Sequence, residues 1–167
     1  MQTKNIILIV DTYNLNSNIR KKFGQESKLN YVQYMNTILG SDILFSAIAY
    51  GAQIGDEAAK FISFLKISGF DTRFKKLYVT NKDDERKVHY LQHTCDITCD
   101  VLAAIHHGKI DGVVLGSSDA QYVRLAEEVK RHGILFSVAA CRIPKPLRDV
   151  AQPCIEIDET FLMDKAA

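Results

Sequence analysis

Residues 110–122 read I-D-G-V-V-L-G-S-S-D-A-Q-Y. The apolar run Val113, Val114 and Leu115 has the pattern of a buried strand. It stops at Gly116, and Ser117, Ser118 and Asp119 then open a helical pattern. Ser and Asp suit a helix start because their side-chain oxygens accept from backbone N–H groups that have no partner within the helix. The stretch therefore predicts a strand over 112–116 and a helix over 119–132, closed by Gly133. Asp119 stands just beyond the carboxyl end of that strand, which is where open α/β sheets bind their ligands.

Working outward, residues 5–10, N-I-I-L-I-V, are continuously apolar, as in a strand covered on both faces. Asp11 follows, then Tyr13, Asn14 and Leu15. Residues 16–25 are polar and carry Arg20, Lys21 and Lys22, read as a solvated helix face or loop, with a phosphate-attracting patch as the alternative. Residues 29–39 have helical spacing ended by Gly40, 43–50 read as a second strand, and 56–68 as an amphipathic helix closed by Gly69. Residues 70–79 read as a third strand with Arg73, Lys75 and Lys76 on it. Residues 80–90 are dense in charge without periodicity and read as a loop. Lys82, Arg86 and Lys87 on that loop are candidates for gripping a substrate. A helix over 94–107 follows, with His106 and His107 in its last turn, where cations are favoured. Residues 134–140 read as a fifth strand, a short helix can follow the prolines after 142, 154–157 read as a last short strand, and the tail as a helical turn or two.

The chain has 167 residues, 47% hydrophobic and 25% charged, which suits one soluble domain over 1–167. A formal net charge of +1 offers no global attraction to nucleic acid, so any such binding must come from a local patch. No apolar run approaches the ~20 residues needed to span a bilayer. The N-terminal apolar run is too short for a secretory signal, so the expectation is a cytoplasmic protein with no membrane partner. In that compartment Cys95, Cys99, Cys141 and Cys154 read as reduced, small buried hydrophobes, with Cys95 and Cys99 on one helix face.

Strands alternating with helices predict an α/β fold: a three-layer α/β/α sandwich whose central sheet is mostly parallel and has about five to six strands. Right-handed crossovers, in the commonest arrangement, place the 5–10 strand beside the 112–116 strand where the winding reverses. Asp11 and Asp119 then meet at one edge. Asp96 and Asp100 share one helix face near its N-terminus, where they complement the helix dipole or, if that terminus reaches the same edge, join the other two acids. Carboxylates gathered in one cleft repel and raise one another's pKa. A hard divalent cation relieves that repulsion, and Mg²⁺ or Mn²⁺ takes oxygen ligands. The chemistry suggested is metal-assisted phosphodiester hydrolysis. No stretch has the phosphate-binding glycine spacing of NTPases or of dinucleotide-binding proteins.

Four stretches in order resemble the NYN domain, a branch of the PIN-like nucleases: I-V-D-T-Y-N-L, D-I-T-C-D-V-L, L-G-S-S-D-A-Q-Y and P-L-R-D-V-A-Q-P-C-I-E-I. The resemblance covers most of the chain and implies a PIN-like, Rossmann-like fold, endoribonuclease activity on RNA, and Mg²⁺ or Mn²⁺. A homodimer is one assembly it allows. It implies that Asp11 and Asp119 are metal ligands and catalytic, that Asp96 or Asp100 supplies a further acid from the helix, and that Asn14 orients Asp11 or the substrate. Ser117 and Ser118 would offer hydroxyls to phosphate. Gln121 stands where the family's motif has a second acid, and would reach the metal by its carbonyl or through water. Thr94 and Gln152 fall at two further acid positions, which thins the set to about three carboxylates. On this reading Asp11 and Asp119 hold one ion, Asp96 assists, and Arg86 and Lys87 help hold the RNA backbone. A module that keeps the cleft and binds RNA, a nucleotide or a protein without cleaving is the alternative. Another phosphate-handling α/β enzyme, such as a phosphatase, is the third.

Overall fold

The first apolar run extends one residue beyond its pattern, so that strand β1 (Asn5–Asp11) ends on Asp11 itself. Helix α1 (Thr12–Phe23) begins at once because Asp11 caps it, its carboxylate accepting from the Asn14 N–H at 3.1 Å. The computed structural model describes residues 3–53, 55–76, 79–82, 85–88 and 92–164, with side chains described at 3–53, 57–76 and 92–164. Over these residues the order continues α2 (Tyr31–Leu39), β2 (Ile43–Gln53), α3 (Gly55–Ile67), β3 (Asp71–Lys76), β4 (Val79–Lys82), β5 (Glu85–Val88) and α4 (Thr94–His106). It ends with β6 (Gly112–Gly116), α5 (Val123–Arg131), β7 (Leu135–Ala140), α6 (Lys145–Val150) and β8 (Cys154–Glu156).

Six strands form one sheet in the order β3-β2-β1-β6-β7-β8, and every pairing in it is parallel. Winding runs outward from β1 to β3 and, in the other direction, from β6 to β8. Right-handed crossovers therefore send α1, α2 and α3 to one face and α4, α5 and α6 to the other, which makes the expected α/β/α sandwich. The reversal lies between β1 and β6, as expected. Their register pairs Val10 with Gly116, so Asp11, still paired with Tyr50 of β2, and Ser117 come next side by side at the strand ends. Buried apolar residues of β1, β2, β6 and β7, among them Leu8, Ile9, Tyr50, Leu115 and Val138, form one core cluster with the inward faces of the helices.

Four expectations need correction. The stretch 80–90 is not simply a loop: β4 and β5 pair antiparallel as a two-stranded sheet of their own, with Thr80 opposite Lys87 and Asn81 opposite Arg86, while 83–84 and 89–90 lie outside the described residues. The sequence hides them because both segments are short and charge-rich, V-T-N-K and E-R-K-V, without an apolar alternation to mark a strand. The third strand is shorter than 70–79, ending at Lys76. The helix after β6 does not start at 119: a 3-10 turn over Ala120–Tyr122, capped by Asp119, precedes α5. Of the cysteines, Cys141 is buried, whereas Cys95 and Cys99 are exposed on α4, on the face turned away from Ile97, Val101 and Ala104.

Gly116 is required by close approach. A Cβ there would stand 2.7 Å from the Tyr34 hydroxyl, 3.2 Å from Val10 Cγ2 and 3.4 Å from the Ile9 carbonyl. The hydroxyl is held in place by donating to the Ala139 carbonyl at 2.7 Å. The strand end that carries the site is thereby pinned to α2 and β7.

Candidate active site at the β1–β6 edge

Asp11 is 6% exposed, an unusual position for a carboxylate. Burial raises its pKa above the ordinary aspartate value. The Asn14 N–H and the field of His93 pull it back, while the charge of Asp119 pushes it further up. The two acids thus lie close enough to repel. Asp119 is half-buried, and its carboxylate accepts from the Gln121 N–H at 2.9 Å. Neither acid has a Lys or Arg within ion-pair distance among the described residues.

Asn14 joins the two strand ends. Its side-chain carbonyl accepts from the Ser118 N–H at 2.9 Å and from the Ser118 hydroxyl at 3.1 Å. Asn18, one turn on, donates to that same oxygen at 3.2 Å and to the Ser118 hydroxyl oxygen at 2.9 Å. This clamp fixes the 117–119 turn relative to α1, and so fixes Asp119 relative to Asp11. Asn14 therefore acts on the acids through the backbone, and Asn18, which the motif reading does not reach, has the same duty. Ser117 does not present a hydroxyl to substrate. It is fully buried, and its oxygen accepts from the Asp119 N–H at 3.3 Å. Ser118 is half-buried and engaged in the clamp, whereas Gln121 is exposed at the rim. The side chains of Arg86 and Lys87 lie outside the described residues, as does that of Lys82.

Asp96 and Asp100 do share a face of α4, but they do not complete the site. Asp100 takes the Arg73 guanidinium and the Tyr50 hydroxyl, and Asp96 takes the Lys75 ammonium. The physical reason is the position of α4, whose N-terminal turn is tied to β2 by the His93 Nε2 contact with the Gly51 carbonyl at 2.8 Å. That turn faces the cations of β3. Lys75 holds the Asp96 carboxyl below its ordinary pKa, and burial together with Asp100 pushes the Tyr50 phenol up. Among the described residues, no three His, Cys, Asp or Glu side chains converge as a metal cage.

His93 is the residue that motif reading misses. It is 3% exposed, and since a carbonyl only accepts, its Nε2 carries the proton. Its Nδ1 faces Asp96 at 3.5 Å, and its field reaches Asp11. It stands between the two acid groups. A histidine three residues ahead of an acid at a helix start was the available signal.

The NYN domain family model matches residues 5–158. The chain belongs to the NYN domain family. An NYN domain is a nuclease-type domain of the PIN-like class, and this agrees with the strand-end acids. A crystal structure of a Vibrio parahaemolyticus protein of unknown function superimposes with a TM-score of 0.79 at 25% sequence identity, over 98% of this chain and 100% of that one. No curated protein matches the chain.

The family implies a divalent cation, and the donor set of this NYN domain fits one in a limited way. Two mutually repelling carboxylates, one of them buried, would both gain from a hard cation between them. Mg²⁺ is commonly held by one or two carboxylates with water completing its shell. Asp11 and Asp119 would be that pair, whereas Asp96 and Asp100 already meet Lys75 and Arg73 of β3. No helix among the described residues is long and apolar enough to cross a membrane.

Proposed function

We propose that this NYN domain is an endoribonuclease that hydrolyses RNA phosphodiester bonds at the β1–β6 edge with Mg²⁺ or Mn²⁺. The supporting observation is the buried Asp11, raised in pKa by desolvation and by Asp119, with no cationic side chain paired to either acid among the described residues. A bound ion would supply charge stabilisation at the phosphate and a more acidic water. The chain's own residues do the rest. Asp11 and Asp119 hold the ion, and Asn14, Asn18 and Ser118 keep the two acids in register. Gln121, exposed beside Asp119, would hydrogen-bond the substrate or its water. Incubation of single-stranded RNA with Mn²⁺ tests this: the parent cleaves and Asp11→Asn does not. Equal cleavage by both would remove the proposal.

A second reading has its own observation. With Asp96 and Asp100 ion-paired and Gln121 in an acid's place, the acid set is small for hydrolysis. On that reading the domain binds RNA without cutting it. Gln121→Asp separates the two: a large gain of cleavage from an inert parent supports the silent module, and little change in an active parent supports the nuclease.

A further inference from the structure

We infer that the groove between α1 and α3 is a channel for single-stranded RNA that leads to Asp11. This rests on RNA being the ligand in the reading above and adds where, and in what form, the strand lies. Two adjoining cavities, of about 370 and 700 Å³, share Asn16, Arg20, Ala52 and Phe61 and so form one continuous groove. Its mouth is at Thr12 and Tyr13, directly after Asp11, and its far end is at Leu29 and Met163. Helical spacing on α1 creates one wall: Thr12, Asn16 and Arg20 recur every fourth residue, as do Tyr13, Ser17 and Lys21.

The chemistry of the walls selects a polyanion. Arg20, Lys21, Lys28 and Lys60 line the groove against one carboxylate, Glu57, among the described lining residues. None of the four cations is within ion-pair distance of a carboxylate among the described residues, unlike Arg73 and Lys75 at the other acid cluster. In a chain whose net charge is only +1, such a concentration is local. The floor is apolar and braced: Phe61 packs edge-on against Phe74 at 6.2 Å and against Tyr31 at 5.6 Å. At the mouth Tyr13, two residues after Asp11, is 57% exposed. Basic walls that follow a backbone, combined with aromatic surface that takes bases, make up the general recognition mode for single strands. A free mononucleotide would use one cavity; a strand uses both and delivers a phosphate to the strand-end acids.

The test is binding of a fluorescein-labelled oligouridylate of about 12 nucleotides in EDTA, where cleavage is silent. Lys28 and Lys60 are exposed and far along the groove from Asp11, so their double alanine variant should melt like the parent. The channel predicts a drop in affinity of about tenfold, and a salt dependence shallower by about 0.7 for each phosphate no longer neutralised. Tyr13→Ala weakens binding and Tyr13→Phe does not. Unchanged affinity and salt slope in the Lys28→Ala, Lys60→Ala variant would overturn the channel, as would an equal drop from Lys130→Ala, Lys145→Ala outside the groove. A blunt duplex bound as tightly as the single strand would also overturn it. Failure of the nuclease reading looks different: binding would still follow the groove variants in EDTA, with no cleavage on adding Mn²⁺.

Discussion

Two pairs of carboxylates lie along the same sheet edge and are treated oppositely. At β1–β6, Asp11 and Asp119 repel each other, and burial raises the pKa of Asp11. At α4–β3, Asp96 and Asp100 are matched with Lys75, Arg73 and Tyr50. Burial and repulsion at Asp11, in the first pair, are what an added cation would relieve. The second has its counter-charges built in and needs nothing from solution. His93 stands between them, tied to β2 and facing Asp96. Two acid pairs near one cleft thus differ in whether a cation of the chain, among the described residues, already meets them.

That contrast is open to direct attack. The largest effect expected is on cleavage: Asp119→Asn should lower the rate by about a hundredfold or more, as removal of a group stabilising transition-state charge does. Asp100→Asn should change it within about threefold, because Asp100 is engaged with Arg73 and Tyr50. Comparable losses in single-turnover assays would erase the distinction between the pairs. Next is the scaffold: Gly116→Ala forces a methyl against the Tyr34 hydroxyl and should cost about 1–3 kcal/mol in denaturant unfolding. A neutral result would mean that the strand end is not pinned.

Stability against pH sharpens the comparison further, because Asp11 and Asp96 should have opposite signs. Asp11 binds its proton more tightly when folded, so its contribution worsens as pH rises through the raised pKa. Asp11→Asn should then stabilise the metal-free protein at pH 7, by about 2–4 °C for each kcal/mol of burial and repulsion removed, with the gain vanishing in acid. Asp96 is the reverse. Its pKa is lowered, so its stabilisation is full above the unfolded value and is lost as pH falls through the folded one. With a side chain 41% exposed, Asp96→Asn should cost under about 1 kcal/mol at pH 7, the smallest change in the series.

What the sequence reveals divides along the same line. Local patterns carry most of the fold: the apolar runs of β1 and β6, the glycines that close helices, and the placement of Asp11 and Asp119 at strand ends. Winding rules then make those two ends neighbours without further information. The partners of Asp96 and Asp100 are a matter of tertiary position. Nothing near them in the chain announces Arg73 or Lys75, which arrive from β3. The same holds for Ser117, whose hydroxyl looks available in a motif but is buried by the turn it stabilises. The groove is half legible: Arg20 and Lys21 stand out as a basic run, but Lys28, Lys60 and the Phe61 floor join them only in space.

The central claim, that Asp11 and Asp119 form a pair in want of a cation, is tested most directly by melting the protein across a Mn²⁺ titration, parent beside Asp11→Asn. The parent should gain stability with ion concentration, approaching about 2.7 kcal/mol at a hundredfold excess over the dissociation constant, while the variant stays flat. A parent that does not respond, or a variant that responds equally, would contradict the account.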